Sequence, residues 1–456
     1  MKNYDAIIIG FGKGGKTLAA DLGSSGLKVA LIEKSDKMFG GTCINVGCIP
    51  SKELILRGQE SKELGLSGEA QKKWYRDSVA EKQKLTQKLR QKNYDRLINA
   101  HVDLYVGSAR FVNDETIEVS SASETIRLTA DKFFINTGAV SFVPPIKGID
   151  GPRIYTSETL MDVPDLPEKL VIVGGGYIGL EFASMYASFG AKVTVLQDQK
   201  IFLPNDDRDV ALNILHTLNT LGIEIVFGVD VREFIDEGHQ TRIRYVLDGQ
   251  SEDSLMADAV LISTGRRPYV GGLDLDKAHV ALTTRGAIQV DDACRTTNER
   301  IYAMGDVVGG LQFTYTSLDD YRIVKSQVYV DQSYNASMRS AVPYTVFLTP
   351  PYSRVGMGEE QAKTQGYDIK IAQIPAASIV KTQILKQPAG LLKVVIDAKT
   401  DLILGAMLYC ADSYEMINLI KLAMDAKIKY QLLRDNLYTH PTMTEAFNEL
   451  FSTVRP

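Results

Sequence analysis

Two of the four cysteines in this 456-residue chain stand five positions apart, in the run Gly40-Gly41-Thr42-Cys43-Ile44-Asn45-Val46-Gly47-Cys48-Ile49-Pro50-Ser51-Lys52. In a straight helix that spacing separates the two residues by about 7.5 Å along the axis. A disulfide needs its Cα atoms within about 7 Å, so joining the sulfurs requires a bend, for which Gly40, Gly41 and Gly47 supply backbone freedom. Pro50 suits the first turn of a helix continuing through Leu54 and Ile55. Cys48 then lies near a helix N-terminus, where a thiolate is stabilised. The pair reads as a redox-active disulfide and not as a staple. Cys294 and Cys410 lie far from it in sequence and are expected to be small buried apolar residues.

The elements that must position this chemistry form a repeat. Residues 6–33 and 170–197 are two copies of a strand, glycine turn, helix, strand unit. Gly10, Gly12 and Gly15 match Gly174, Gly176 and Gly179, and at the same offset Gly26 matches Gly190, Val29 matches Val193 and Glu33 matches Gln197. The glycines permit a tight turn, close approach of a pyrophosphate and close helix-on-strand packing, with phosphates at the helix N-terminus. Two such turns predict two dinucleotide sites, and the cysteines just behind the first place their disulfide beside a flavin. Glu33 can accept both hydroxyls of an unphosphorylated ribose, which suits FAD. Gln197 still bonds a ribose but does not repel a 2′-phosphate, and Lys200 is nearby, so the second cofactor is expected as NAD(P)H with neither form singled out.

A subtler repeat nests the two units. Ala130-Asp131 leads through an apolar strand to Thr137-Gly138, and Ala257-Asp258 leads likewise to Thr264-Gly265; each copy then turns away through proline loops at Pro144-Pro145 and Pro268. The first unit is expected to resume after the second, with the strand 301–303 running into Gly305 and an acidic Asp306 able to bind a cofactor hydroxyl. The predicted fold is α/β, with two nested Rossmann-like domains and a C-terminal α+β dimerisation domain: FAD on 1–148 and 266–340, NAD(P)H on 149–265, and the interface on 341–456.

A net charge of −5 gives no electrostatic footprint for nucleic acid or an anionic membrane surface. No apolar run reaches the roughly 20 residues of a membrane helix, and Met1 leads directly into a strand-like segment, so a cytoplasmic protein is expected. The lysine-rich stretch 71–92, with apolar Val79, Leu85 and Leu89, predicts an exposed amphipathic helix. No metal site is predicted.

Four separated motifs carry a family resemblance: the first glycine turn, the Cys43–Cys48 element through Lys52, the second glycine turn ending in Glu181, and His440-Pro441-Thr442-x-x-Glu445. With them the chain resembles the class I flavoprotein disulfide reductases along its whole length. The resemblance implies FAD, NAD(P)H and a homodimer whose active site is completed by the partner's His440. It makes Cys43 the interchange thiol, Cys48 the flavin-side thiolate, Lys52 a flavin neighbour paired with Glu181, Tyr177 a cover over the nicotinamide pocket, and Asp306 an FAD ligand. His440 becomes the acid–base partner of Cys43, oriented by Glu445. Lys34, Gly41, Thr42, Thr137, Gly138, Gly265 and Gly305 complete the expected cofactor-binding set.

No second cysteine pair follows, and the chain ends Phe451-Ser452-Thr453-Val454-Arg455-Pro456, which argues against the mercuric and large thioredoxin reductases. No lipoyl domain is expected ahead of residue 1, and Asn436-Leu437-Tyr438-Thr439 lacks the second histidine common in dihydrolipoyl dehydrogenases. Segments 309–315, 317–322 and 342–357 are similar to a bacterial subgroup of reactive-chlorine resistance and hypothiocyanous acid reductases. The expected substrate is therefore a small oxidant, hypothiocyanous acid. The alternatives are a dihydrolipoyl dehydrogenase-like component of a 2-oxo acid dehydrogenase complex and a non-catalytic flavin redox sensor.

Overall fold

The apolar run before the first glycine turn forms the strand Lys2–Ile9, whose last four residues are all buried. A strand covered on both faces belongs at the centre of a parallel sheet. It pairs in parallel with Val29–Glu33 on one side and Thr125–Ile135 on the other. The computed structural model, which describes residues 2–455, extends these into a seven-stranded sheet that also takes in Asp103–Val106, Ser108–Asn113, Thr116–Ser120 and Ile301–Ala303. Met1 and Pro456, the outermost residues of the first and last expected domains, lie outside the described residues.

Thr125–Ile135 divides one of its edges between two neighbours. Its first half pairs antiparallel with Thr116–Ser120, and residues 133–135 pair parallel with Ile301–Ala303. Because Ile301–Ala303 follows the second glycine turn in sequence, the chain leaves the first sheet, builds another and returns. The second sheet is five-stranded and parallel, in the order Glu224–Val226, Lys192–Leu196, Lys169–Val173, Ala259–Ile262, Ile154–Thr156. The antiparallel ribbon Val229–Asp236, Thr241–Leu247, Ser251–Ala257 packs Phe234, Ile243 and Tyr245 onto it. The two exits from these sheets run side by side: Ala139–Ser141 pairs antiparallel with Arg266–Pro268, and the Thr264 hydroxyl donates to Phe142 O at 2.9 Å.

The C-terminal unit is an antiparallel sheet ordered Tyr344–Val346, Tyr352–Gly356, Ile403–Tyr409, Leu391–Asp397, Ile369–Pro375, with helix Ser413–Asp425 against it. The lysine-rich stretch lies within a 32-residue helix, Gly68–Asn99, and differs from its expectation in what it buries. Leu85 and Leu89 are only half-buried, while Tyr75, Ser78, Lys82 and Thr86 join Val79 inside. The Lys82 ammonium donates to Met161 O at 2.9 Å and to Asp162 Oδ1 at 2.5 Å, so a polar contact to the second unit holds this face where an apolar stripe was expected. Among the described residues no helix is long and apolar enough to cross a membrane.

Candidate active site

Cys43 sits on a one-turn helix, Thr42–Asn45, and Cys48 begins the helix Cys48–Glu63 with Gly47 as its N-cap. Gly40 and Gly41 make the bend at φ +99° and +80°, and a Cβ on Gly41 would stand 2.9 Å from Gly12 Cα. That approach seats the cysteine loop on the first glycine turn. Gly47 contributes differently from the sequence reading: its φ of −128° is not left-handed, and a Cβ there would make a tight contact, 3.0 Å from Thr42 O. Asn45 braces the loop by donating to Phe39 O and Gly41 O, and receives a bond from Arg90 on the long helix.

Both cysteines are free thiols. The Cys43 hydrogen bond holds Cys48 down to about 6, helped by the Thr314 hydroxyl 3.5 Å from its sulfur and by the Lys52 ammonium, against burial. The same bond, with burial, pushes Cys43 far above the ordinary thiol range. The reduced pair therefore keeps one proton, on Cys43, and carries its anion on Cys48. Cys294 and Cys410 are buried, and burial pushes both thiols up.

The pair opens onto a cavity of about 1350 Å³ between the first glycine turn, the second unit's leading helix and the C-terminal sheet. Of the expected site residues, Gly10, Gly12, Glu33, Lys34, Gly41, Thr42, Cys43, Cys48, Lys52, Thr137, Gly138, Tyr177, Glu181 and Asp306 line it. Gly15 and Gly305 lie behind the wall: a Cβ on Gly15 would stand 2.8 Å from Gly10 O, and Gly305 N–H donates to the buried Asp320 at 2.7 Å. Glu33 accepts from Phe11 N–H at 3.0 Å and from Ser35 N–H at 3.3 Å, and burial raises its carboxyl. Asp306 is likewise raised by burial and has no salt bridge among the described residues. Lys34 donates to the Tyr269 hydroxyl at 3.0 Å.

Lys52 Nζ lies 2.8 Å from Glu181 Oε2 and 4.6 Å from the Phe347 ring centroid, and Glu181 Oε1 accepts the Phe347 N–H at 2.8 Å. Three elements distant in sequence thus meet at one cation. Gly174, Gly176, Gly179, Gln197 and Gly265 are outside the cavity, at the open end of the second sheet. The exposed His440 faces Glu445 at 2.8 Å, Nδ1 to Oε2; the carboxylate can only accept, which puts the proton on Nδ1 and leaves Nε2 free. Neither residue lines the chain's own cavity.

The sequence pattern of the pyridine nucleotide-disulphide oxidoreductases matches residues 4–320, and the dimerisation domain of the same family matches residues 342–451. The chain belongs to this family. Among its members, the chain is 44% identical, over the full length of both proteins, to the probable pyridine nucleotide-disulfide oxidoreductase RclA of Escherichia coli. It is 31% identical to a mercuric reductase of Lysinibacillus sphaericus, over 97% of this chain and 81% of the other. The solved Cu(II) complex of the HOCl-induced flavoprotein disulfide reductase RclA from Escherichia coli superposes with a TM-score of 0.93 at 44% identity, covering 99% of each chain. Family membership implies FAD and a pyridine nucleotide, and the dimerisation domain supports a homodimer.

For this oxidoreductase, sequence reasoning missed Thr314, Phe347, Asp206 and Tyr344. Only Thr314 had a signal, as a helix start after Gly309-Gly310; the others act across more than a hundred residues or from loops without a motif.

Proposed function

We propose that this flavoprotein oxidises NAD(P)H and reduces hypothiocyanous acid to thiocyanate and water through Cys43 and Cys48. The polarised thiol pair at the cavity wall carries the reading, and the full-length likeness to an HOCl-induced disulfide reductase supports an oxidant as substrate. The cavity fits FAD. A Cβ on Gly12 would stand 2.3 Å from Asn136 Oδ1 and 3.1 Å from Asn136 O, so glycine lets the turn pack on that strand end with its backbone at the cavity wall. The half-buried Glu33 and Asp306 line the same cavity with carboxyl groups able to accept from cofactor hydroxyls. FAD, when bound, supplies a two-electron relay between the reduced nicotinamide and the cysteine pair.

The partner subunit's His440 takes the Cys43 proton at Nε2, and the Cys43 thiolate attacks the sulfur of hypothiocyanous acid, forming the Cys43–SCN bond as the S–O bond breaks. The same proton passes from the partner's His440 to the departing hydroxide, which leaves as water. Cys48 thiolate then attacks the Cys43 sulfur and displaces thiocyanate, closing the disulfide. Glu445 holds the imidazole for that transfer. Lys52, held by Glu181, places a positive charge at the flavin end of the cavity. In this reading 1–148 and 266–340 hold FAD, 149–265 holds NAD(P)H through Gly174, Gly176, Gly179, Gln197 and Gly265, and 341–456 forms the dimer. The small cysteine complement suits a reducing cytoplasm.

Steady-state oxidation of NADH and of NADPH is measured with hypothiocyanous acid, oxidised glutathione and lipoamide. The expected ranking puts hypothiocyanous acid first by at least about a hundredfold, with loss of that turnover in Cys43→Ser and a drop of about 10²–10⁴ in His440→Ala. Lipoamide in first place overturns the substrate, and unchanged turnover in both variants overturns catalysis by the pair.

A further inference from the structure

Tyr177 is the first residue of the helix Tyr177–Ser188, directly behind the second glycine turn, and its ring lines the large cavity. Its hydroxyl is tied down. It donates to Asp206 Oδ2 at 2.9 Å and lies 3.0 Å from the Tyr344 hydroxyl. The other oxygen of Asp206 accepts from the Tyr352 hydroxyl at 2.6 Å and from Arg354 at 2.8 Å. Asp206, Tyr352 and Arg354 are all buried, and Arg354 supplies the charge that lets a carboxylate sit there.

Tyr344, Tyr352 and Arg354 belong to the C-terminal sheet, whereas Tyr177 and Asp206 belong to the second unit. The neighbouring Asp207 is held in the same way, 2.9 Å from the buried Lys393 of that sheet. Two successive carboxylates on one loop are thus clamped by two buried cations. The Tyr177 ring rests on Tyr344 with centroids 5.5 Å apart, and Tyr344 stacks in turn on Phe313 at 5.8 Å. The ring therefore stays across its part of the cavity for as long as its hydroxyl bond to Asp206 holds.

We propose that Asp206 is a positioning residue that latches Tyr177 over the nicotinamide pocket, so that the nicotinamide half of a dinucleotide, and not its adenosine half, must break the Tyr177–Asp206 bond to enter. The inference rests on the dinucleotide reading of the second unit given above. It assigns to a loop aspartate and the C-terminal sheet a part in controlling access that neither glycine motif reveals. A ligand that binds only the opened form carries the cost of opening in its apparent affinity, and removing the latch removes that cost.

The test titrates the flavin-loaded protein calorimetrically with NAD+ and with ADP-ribose, which lacks the nicotinamide, and repeats the pair with NADP+ and 2′-phospho-ADP-ribose. Tyr177→Phe deletes only the hydroxyl and keeps the Asp206–Tyr352–Arg354 cluster whole. It is expected to bind the nicotinamide-containing ligand about tenfold more tightly, at the low end of what a hydrogen bond to a charged group contributes, with the ribose ligands unchanged within about twofold. Asp206→Asn is expected to shift the same ligands in the same direction. Equal shifts for both ligand types, or no shift in Tyr177→Phe, overturn the latch. Binding of none of the four ligands by the unaltered protein overturns the dinucleotide reading, and the latch with it.

Discussion

In the first glycine turn the Phe11 N–H donates to a Glu33 carboxylate oxygen at 3.0 Å; in the second the Gly175 N–H donates to the Gln197 side-chain oxygen at 2.7 Å. Gly10 and Gly174 have φ of +102° and +106°, and a Cβ on either would press on a backbone oxygen, that of Asn136 at 2.5 Å or of Ser263 at 2.6 Å. Down to single hydrogen bonds the two turns are one device, yet their surroundings differ. Gly41 and the cysteine loop close over the first, while nothing stands within 4 Å of a Cβ built on Gly176 in the second. Backbone sterics shape a glycine turn, and elements arriving from elsewhere in the chain decide whether it is roofed. A roofed turn suits a group that stays, and an open one suits a group that comes and goes.

The largest expected effect is on the glycines. Gly10→Ala and Gly174→Ala each force a side chain into a left-handed backbone at a cost of at least about 1–3 kcal/mol, so both should lower the melting temperature. Only Gly10→Ala should purify without flavin, whereas Gly174→Ala should stay yellow and lose reduction by NAD(P)H. Flavin-to-protein absorbance ratios decide the matter, and equal flavin loss in both variants would erase the distinction between resident and exchanging sites.

A smaller effect is expected from exchanging the residues that close the two turns. Gln197→Glu should weaken NADPH relative to NADH by about tenfold, or about 1.4 kcal/mol, because a carboxylate repels the 2′-phosphate. The ratio of kcat/KM for the two nucleotides measures it, and an unchanged ratio would place the ribose elsewhere.

The smallest lies on the thiol side of the roofed turn. In the two-electron-reduced protein, the long-wavelength absorbance of a Cys48 thiolate beside the flavin should titrate with a midpoint near pH 6. Thr314→Val removes a hydroxyl that favours the anion and should move that midpoint up. Because the folded-state Cys48 value lies below the ordinary thiol value of 9.0, its contribution to the reduced fold is lost as pH falls from about 9 through about 6. The raised Cys43 value withdraws stability above about pH 9, so the reduced fold gains most from the pair near pH 9. A midpoint at the ordinary value would remove the polarisation.

Both glycine turns and the bend between Cys43 and Cys48 are legible in the sequence because they rest on local sterics: a positive φ or a missing Cβ can be read from a residue type and its spacing. The helix Gly68–Asn99 was legible as a helix but not in its buried face, since the partners of Lys82, Met161 O and Asp162, are about eighty residues away. Lys52 with Glu181 came from motif resemblance, and the structure adds Phe347, whose backbone N–H fixes the other carboxylate oxygen.

Thr314 beside Cys48 has only its place at a helix start, and Asp206 beneath Tyr177 has no local signature. Their neighbours are 266 and 29 positions away, and no periodicity or motif links them. The chain's own order of residues was enough to settle the two turns and the bend at the cysteine pair, because short-range backbone geometry encodes them, and its separated motifs were enough to point to the family. Which turn is covered, what restrains the tyrosine, and the added support of Thr314 for the Cys48 anion arose only when remote segments packed together, since hydrogen bonds and burial act through space and not along the chain.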